Sequence, residues 1–107
     1  MHRHIARITV HAASEEDYAK LHEQMASINF VRFIVGDDGQ SYKLPDATYV
    51  CYSNESSASL RDKIHHIINQ TVPRLVPPQI LVARIDSAAW TLPPDMSALY
   101  EILKNIF

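Results

Sequence analysis

Glycine is almost absent from this 107-residue chain: Gly36 and Gly39 are the only two, and both fall in one short loop. A phosphate-cradling P-loop or a dinucleotide fingerprint needs several glycines where backbone wraps phosphate, so both are excluded. Cysteine is scarcer still. Cys51 alone cannot close an internal disulfide, which excludes the stapled framework of a small secreted domain. No Cys-x-x-Cys and no His-Glu-x-x-His occurs, so the usual zinc spacings are missing. Long apolar runs are lacking too. The longest, Ile80 to Ala83, falls far short of the roughly 20 residues that span a bilayer. Met1 to Arg7 holds no apolar stretch of signal-peptide length. The expectation is a cytoplasmic protein with no membrane partner.

No charge of one sign dominates. The net charge is −2, with five basic and seven acidic side chains in residues 1–53 and five of each in residues 54–107. General electrostatic capture of nucleic acid or anionic lipid is not expected. Six histidines qualify that: six protons added to −2 would give +4, so the surface sign could reverse in mild acid.

What is present is a globular composition, 47% apolar and 21% charged, of a length that suits one domain. In Arg3 to His11 (RHIARITVH), Ala6, Ile8 and Val10 alternate with Arg7, Thr9 and His11, the pattern of a strand with one buried face. Ser14 is placed to cap a helix whose first turn holds Glu15, Glu16 and Asp17. Tyr18, Leu21, Met25 and Ile28 form its apolar stripe. Phe30 to Val35 reads as a second strand closed by a Gly36-Asp37-Asp38-Gly39 turn, and Ala47 to Ser53 (ATYVCYS) as a third. A second helix carries Leu60, Ile64, Ile67 and Ile68 and is stopped by Pro73. Gln79 to Asp86 reads as a fourth strand. Pro93-Pro94 then opens a last helix bearing Met96, Leu99, Ile102, Leu103 and Ile106.

The order β-α-β-β-α-β predicts an α+β ferredoxin-like sandwich, an antiparallel sheet with two helices on one face, plus a C-terminal helix. Its core spans about 3–88 and the appended helix 93–107. Strand parity predicts the uncovered face. With Ala6, Ile8 and Val10 inward, Arg7, Thr9 and His11 point out, joined by Arg32 and Ile34, Tyr49 and Cys51, and Ile80, Val82 and Arg84. An open sheet of arginines and aromatics suits single-stranded RNA, guanidinium forks taking phosphates and rings stacking on bases. The same face, with Ile34, Ile80 and Val82, also reads as a solvated surface or a dimer contact. The basic-Gly-aromatic core of an RNA-recognition motif is absent from ATYVCYS.

Ile28-Asn29-Phe30, the alternating strand, the acidic-glycine turn, Leu44 and the ATYVCYS strand together resemble the GhoS family, the small endoribonuclease antitoxins of type V toxin–antitoxin systems. The similarity extends over about residues 5 to 88 and rests on element order, loop lengths and a few residues. It implies a ferredoxin-like fold related to small CRISPR-associated ribonucleases, and cleavage of a partner toxin's messenger RNA. The chain departs from the family in holding Lys20 and His22 where the first helix tends to carry arginine, and His11 where the first strand tends to end on an acidic residue.

Metal-free RNA cleavage needs a base for the 2′-hydroxyl proton, an acid for the leaving oxygen and a cation for the phosphorane charge. His11, ending a central strand, is the expected acid or base, with Arg7, Arg32, Tyr49 and Arg84 holding RNA. A loop histidine with no task is the plain alternative for His11. His22 reads as a stripe-edge residue partly buried against the sheet. His65 and His66 diverge by about 100° and cannot share a metal. His2 and His4 lie on a terminal segment, and Asp37-Asp38 could hold Mg²⁺ but is explained by its turn. No cofactor and no metal site is expected. The rival class is a non-catalytic interaction or ligand-sensing module, a homodimer through the sheet face or the C-terminal helix. A dimeric barrel enzyme is a third option, disfavoured by the bulky core stripes.

Overall fold

The computed structural model describes residues 1–96. Strand β1 (His2–Thr9) is the middle strand of a three-stranded antiparallel sheet, between β4 (Thr48–Ser53) and β5 (Gln79–Ile85). Its alternation does what the residues dictate: Ala6, Ile8 and Val10 are buried, while Arg7 and Thr9 are exposed. Helix α1 (Glu15–Ser27) starts at a complete capping box, in which the Ser14 hydroxyl accepts from the Asp17 amide and the Asp17 carboxylate accepts from the Ser14 amide. Helix α2 (Ser57–Thr71) is capped by Ser56 and ends two residues before Pro73, as the ring requires. Leu21 and Met25 of α1, with Leu60, Ile64 and Ile68 of α2, close over Ala6 and Ile8 to form the main core. The result is an α+β protein with both helices packed on one face of an antiparallel sheet.

Between α1 and β4 the chain makes a separate hairpin, β2 (Phe33–Val35) and β3 (Ser41–Lys43). Only Val31 of the expected Phe30–Val35 strand joins the main sheet, bridging to Val50. The Gly36–Gly39 turn sits where expected: the Gly36 amide donates to the Gln40 carbonyl, and Gly39 takes φ +80°, which favours glycine. Strand β3 was not expected, because Ser41-Tyr42-Lys43 is too short to carry a period. Pro93-Pro94 does not open a helix. This segment lies along β3 instead, with Lys43 donating to the Pro93 carbonyl and Asp95 to that of Ser41. The remainder of the expected C-terminal helix, residues 97–107, lies outside the described residues.

Two strand parities are the reverse of expectation. Register pairs Ala6 with Tyr49 and with Val82, and His4 with Cys51 and with Arg84. Residues directly opposite share a face. Tyr49, Cys51, Ile80, Val82 and Arg84 are therefore on the helix side, not the open side. Tyr49 and Cys51 are core residues, 0% and 3% exposed. The reason is a second apolar cluster on the outer face, where the hairpin brings Ile34 and Leu44 onto Val50, flanked by Ile5, Tyr42, Trp90 and Leu92. Both faces of β4 are thus buried, so its sequence carries no inside–outside contrast. Ile34 is not on an open face either: it belongs to the separate hairpin and is packed, 4% exposed, onto Val50.

His4 is the odd member of the core. It is 2% exposed and neither ring nitrogen has a hydrogen-bond partner. Such a group forgoes its hydration without replacement, at about 1–3 kcal/mol. His4→Leu, similar in volume, is expected to stabilise the fold by about that amount in urea unfolding. A lower urea midpoint would show that the imidazole has a partner in solution.

Candidate functional site

The residues expected to form one RNA platform are not brought together. Arg7 is on the outer face, exposed, opposite Thr48 and Leu81. Arg84 is on the other side of the sheet, where its Nε lies 3.8 Å from the Asp86 carboxylate. His11 is exposed in the turn after β1, where its carbonyl accepts from the Arg74 guanidinium. That guanidinium also holds Asp17 at 2.6 Å, tying the loop after α2 to the start of α1. Tyr49 is sealed in the core, so it cannot stack on a base.

Its hydroxyl nevertheless reaches the edge of the core, and it meets a histidine there. His22 Nδ1 and Tyr49 Oη are 2.6 Å apart, their rings tilted by 54° with centroids 5.6 Å apart. Helical geometry makes this contact. His22 follows Tyr18 by four residues, so the two rings lie on neighbouring turns of α1, with centroids 6.3 Å apart. The Tyr18 hydroxyl accepts the Val10 amide and anchors the helix over the end of β1. Half-burial and the Arg32 guanidinium both push the His22 imidazole below its ordinary value of 6.5, with Asp46 pulling weakly the other way. Burial pushes the Tyr49 phenol up to about 12. At neutral pH the pair is an uncharged imidazole braced by an un-ionised phenol.

His22, with Tyr49 behind it in the core, faces a cleft of about 520 Å³ at the end of the sheet. Arg7, Thr9, Glu15, Tyr18, His22 and Asp46 line it. Two wall segments hold left-handed backbone at non-glycine residues, Ala12 at φ 54° and Ala47 at φ 57°, and the Ala47 carbonyl accepts the Ile8 amide. A neutral imidazole, an arginine within the cleft and a second arginine acting through space form a set able to take a proton and neutralise a phosphate. The contrast with the expected site is in the histidine. His11 was favoured for its place at a strand end. His22 was read only as a stripe-edge residue, which it is. The signal that could have singled it out is its i, i+4 spacing from Tyr18 on the face that meets the sheet.

The outer face beyond Arg7 holds Arg3 and Tyr52, opposed across β1 and β4. The Arg3 Nε donates to the Tyr52 hydroxyl at 3.1 Å, and its guanidinium carbon lies 5.6 Å from the ring centroid. Cys51 is buried, and desolvation pushes its thiol up to about 11, so it is not a nucleophile at neutral pH. Asp38 is occupied within the hairpin, accepting from the Gln40 amide and the Tyr42 hydroxyl. Among the described residues no three His, Cys, Asp or Glu side chains come together to hold a metal ion, and no helix is long and apolar enough to cross a membrane. Compared with known proteins, the chain matches no family model and no curated protein.

Proposed function

We propose that this protein is a cytoplasmic endoribonuclease of the antitoxin type, acting on single-stranded messenger RNA of a partner toxin. In this reading the sheet and two helices are a ferredoxin-like sandwich on which the β2–β3 hairpin is an elaboration. The observation that carries it is the neutral, Tyr49-braced His22 imidazole in a cleft shared with Arg7. With its ring proton on Nδ1 and donated to Tyr49, His22 has the Nε2 lone pair free to take the 2′-hydroxyl proton. The 2′-oxygen then bonds to phosphorus while the bond from phosphorus to the 5′-oxygen breaks. The Tyr18 hydroxyl in the same cleft supplies the proton for the leaving 5′-oxygen. Arg7 and Arg32 offset the charge that builds on the phosphorane. The products are a 2′,3′-cyclic phosphate and a 5′-hydroxyl, and no metal takes part.

The test is purified protein with end-labelled unstructured RNA in EDTA. Cleavage leaving cyclic phosphate ends, lost in the Arg7→Ala plus Arg32→Ala variant, is expected. Undiminished cleavage in that variant would remove the site, and absence of cleavage with wild-type protein would remove the function.

A second reading has its own observation. Leu81 is 66% exposed on the outer face, beside an apolar cleft lined by Ile5, Ile34, Trp90 and Leu92. This favours a non-catalytic module that self-associates through the sheet. Sedimentation separates the two: a tight dimer dispersed by Leu81→Asp, together with no RNA cleavage, would favour the module.

A further inference from the structure

Resting on the ribonuclease reading, the geometry points to a nucleobase-stacking subsite at the end of the outer face remote from His22, formed by Tyr52, Arg3 and Trp90. These three residues line one open cleft of about 740 Å³, rimmed by His2, Asp37 and Asp86. Tyr52 is 51% exposed although it lies on a strand whose other large side chains are buried, so its ring is displayed to solvent. Arg3 is held to it by the hydroxyl hydrogen bond and the cation–π approach, which fixes the guanidinium plane and leaves further N–H donors unused. Trp90 supplies a second aromatic surface with little freedom. Its ring lies 5.7 Å from that of Tyr42, and a Cβ on Gly36 would come within 3.3 Å of the indole.

An exposed phenol ring, a fixed guanidinium and an indole in one polar cleft match the needs of a base and its phosphate on an unpaired strand. Aromatic stacking accepts any base, and arginine takes the backbone. The span fits a continuous strand. Arg3 and Arg7 are four residues apart on the same face of β1, about 13 Å at about 3.3 Å per residue. The hairpin and the Trp90–Leu92 segment cover the outer face at Ile5, so a strand gripped at Arg3 and Tyr52 would cross that cover, not lie on β1, to bring a further phosphate to Arg7. This subsite sets where the strand lies, not the chemistry, and it favours unpaired over duplex RNA because a base stacked in a duplex has no free face for an aromatic ring.

The chain's only tryptophan is Trp90, so its fluorescence reports on the two clefts it lines, this one and the apolar cleft beside Leu81, and Tyr52→Ala tells them apart. The His22→Ala protein, expected to cut too slowly to interfere, is titrated with a short unstructured oligoribonucleotide, with a duplex of the same sequence and with inorganic polyphosphate. Saturable quenching by the single strand alone is expected, weakened about 5- to 150-fold by Tyr52→Ala at about 1–3 kcal/mol per stacked base. In otherwise wild-type protein Tyr52→Ala is expected to raise KM and leave kcat nearly unchanged. Equal quenching by polyphosphate would mean a charge patch, and concentration-dependent quenching without RNA would mean self-association. Either overturns the subsite. If wild-type protein cleaves RNA while Tyr52→Ala matches it in KM and quenching, the subsite falls and the ribonuclease reading stands. If wild-type protein neither cleaves nor is quenched, both fall.

Discussion

Replacing His22 by alanine is expected to slow RNA cleavage by about 10²–10⁴-fold, the usual worth of a positioned general base. The loss should fall on kcat with little change in KM, because the imidazole takes a proton only as the reaction proceeds. The fold should survive. His22 is half-buried on the solvent edge of α1, and alanine is a better helix former. His11→Ala provides the contrast: its ring is exposed in the turn after β1 and lines no part of the cleft, so cleavage should be unaltered. Cleavage assays of the two variants decide between the histidines. Loss with His11→Ala and retention with His22→Ala would return the chemistry to the strand end and leave the Tyr49 contact a packing feature.

The second large effect separates two tyrosines three residues apart on β4. Tyr49→Ala is expected to destabilise the protein by about 3–5 kcal/mol, as for other large aromatics removed from a core. Against a total of about 5–15 kcal/mol for a domain, this is enough to leave a large unfolded fraction. Tyr52→Ala, which removes an exposed ring and one surface hydrogen bond, should fall within about 1 kcal/mol of wild type. Urea midpoints for the two variants test the register directly. Comparable losses, or a larger loss at Tyr52, would mean that β4 presents its other face to the helices. Tyr49→Phe keeps the ring and removes only the oxygen bonded to His22. It should fold, cleave more slowly than wild type, and so link the core residue to the site.

This contrast also shows what can be read from the chain alone. The face of β1 was legible because Arg7 and Thr9 interrupt Ala6, Ile8 and Val10 with side chains that cannot be buried unpaired. The Ser14 cap and the Leu21–Met25 and Leu60–Ile64–Ile68 stripes were legible for the same reason, since polar and apolar positions differ. In β4, Thr48, Tyr49, Val50 and Cys51 all become buried, because a hairpin 4–5 residues upstream of it in the chain folds back over the outer face. No local pattern announces that. In β5 the two faces, Ile80 with Val82 and Leu81 with Ala83, are equally aliphatic, so only the pairing of Ile8 with Ile80 decides which goes in. The site followed the strands. Tyr49, expected on the open face, is instead the buried partner of a histidine 27 residues earlier in the chain. The stripe-edge position of His22 is legible in the helix period, and only the tertiary fold shows what it flanks. Of the apolar stripe assigned to the C-terminal helix, Met96 is exposed, and Leu99, Ile102, Leu103 and Ile106 lie outside the described residues.

Proton linkage gives the account a quantitative signature. Because burial and Arg32 hold the His22 imidazole below 6.5, the folded protein keeps the ring neutral where the unfolded chain would protonate it. The stability this contributes is complete above 6.5 and is lost as pH falls through the depressed folded value. Cleavage should follow the same proton. Asp17, Asp38 and Glu55, all held below their usual values by hydrogen bonds, titrate in a more acidic range and do not obscure it.

The most direct measurement is therefore the single-turnover cleavage rate against pH at subsaturating RNA, which reports the groups of the free protein, in wild-type protein and in Arg32→Ala. The rate should rise with pH to a plateau, with its midpoint below 6.5 in wild type. In the variant the midpoint should move upward as the repelling guanidinium is removed. A midpoint that stays fixed on loss of Arg32, or a rate with no acidic limb at all, would contradict the assignment of His22 as the group that takes the proton.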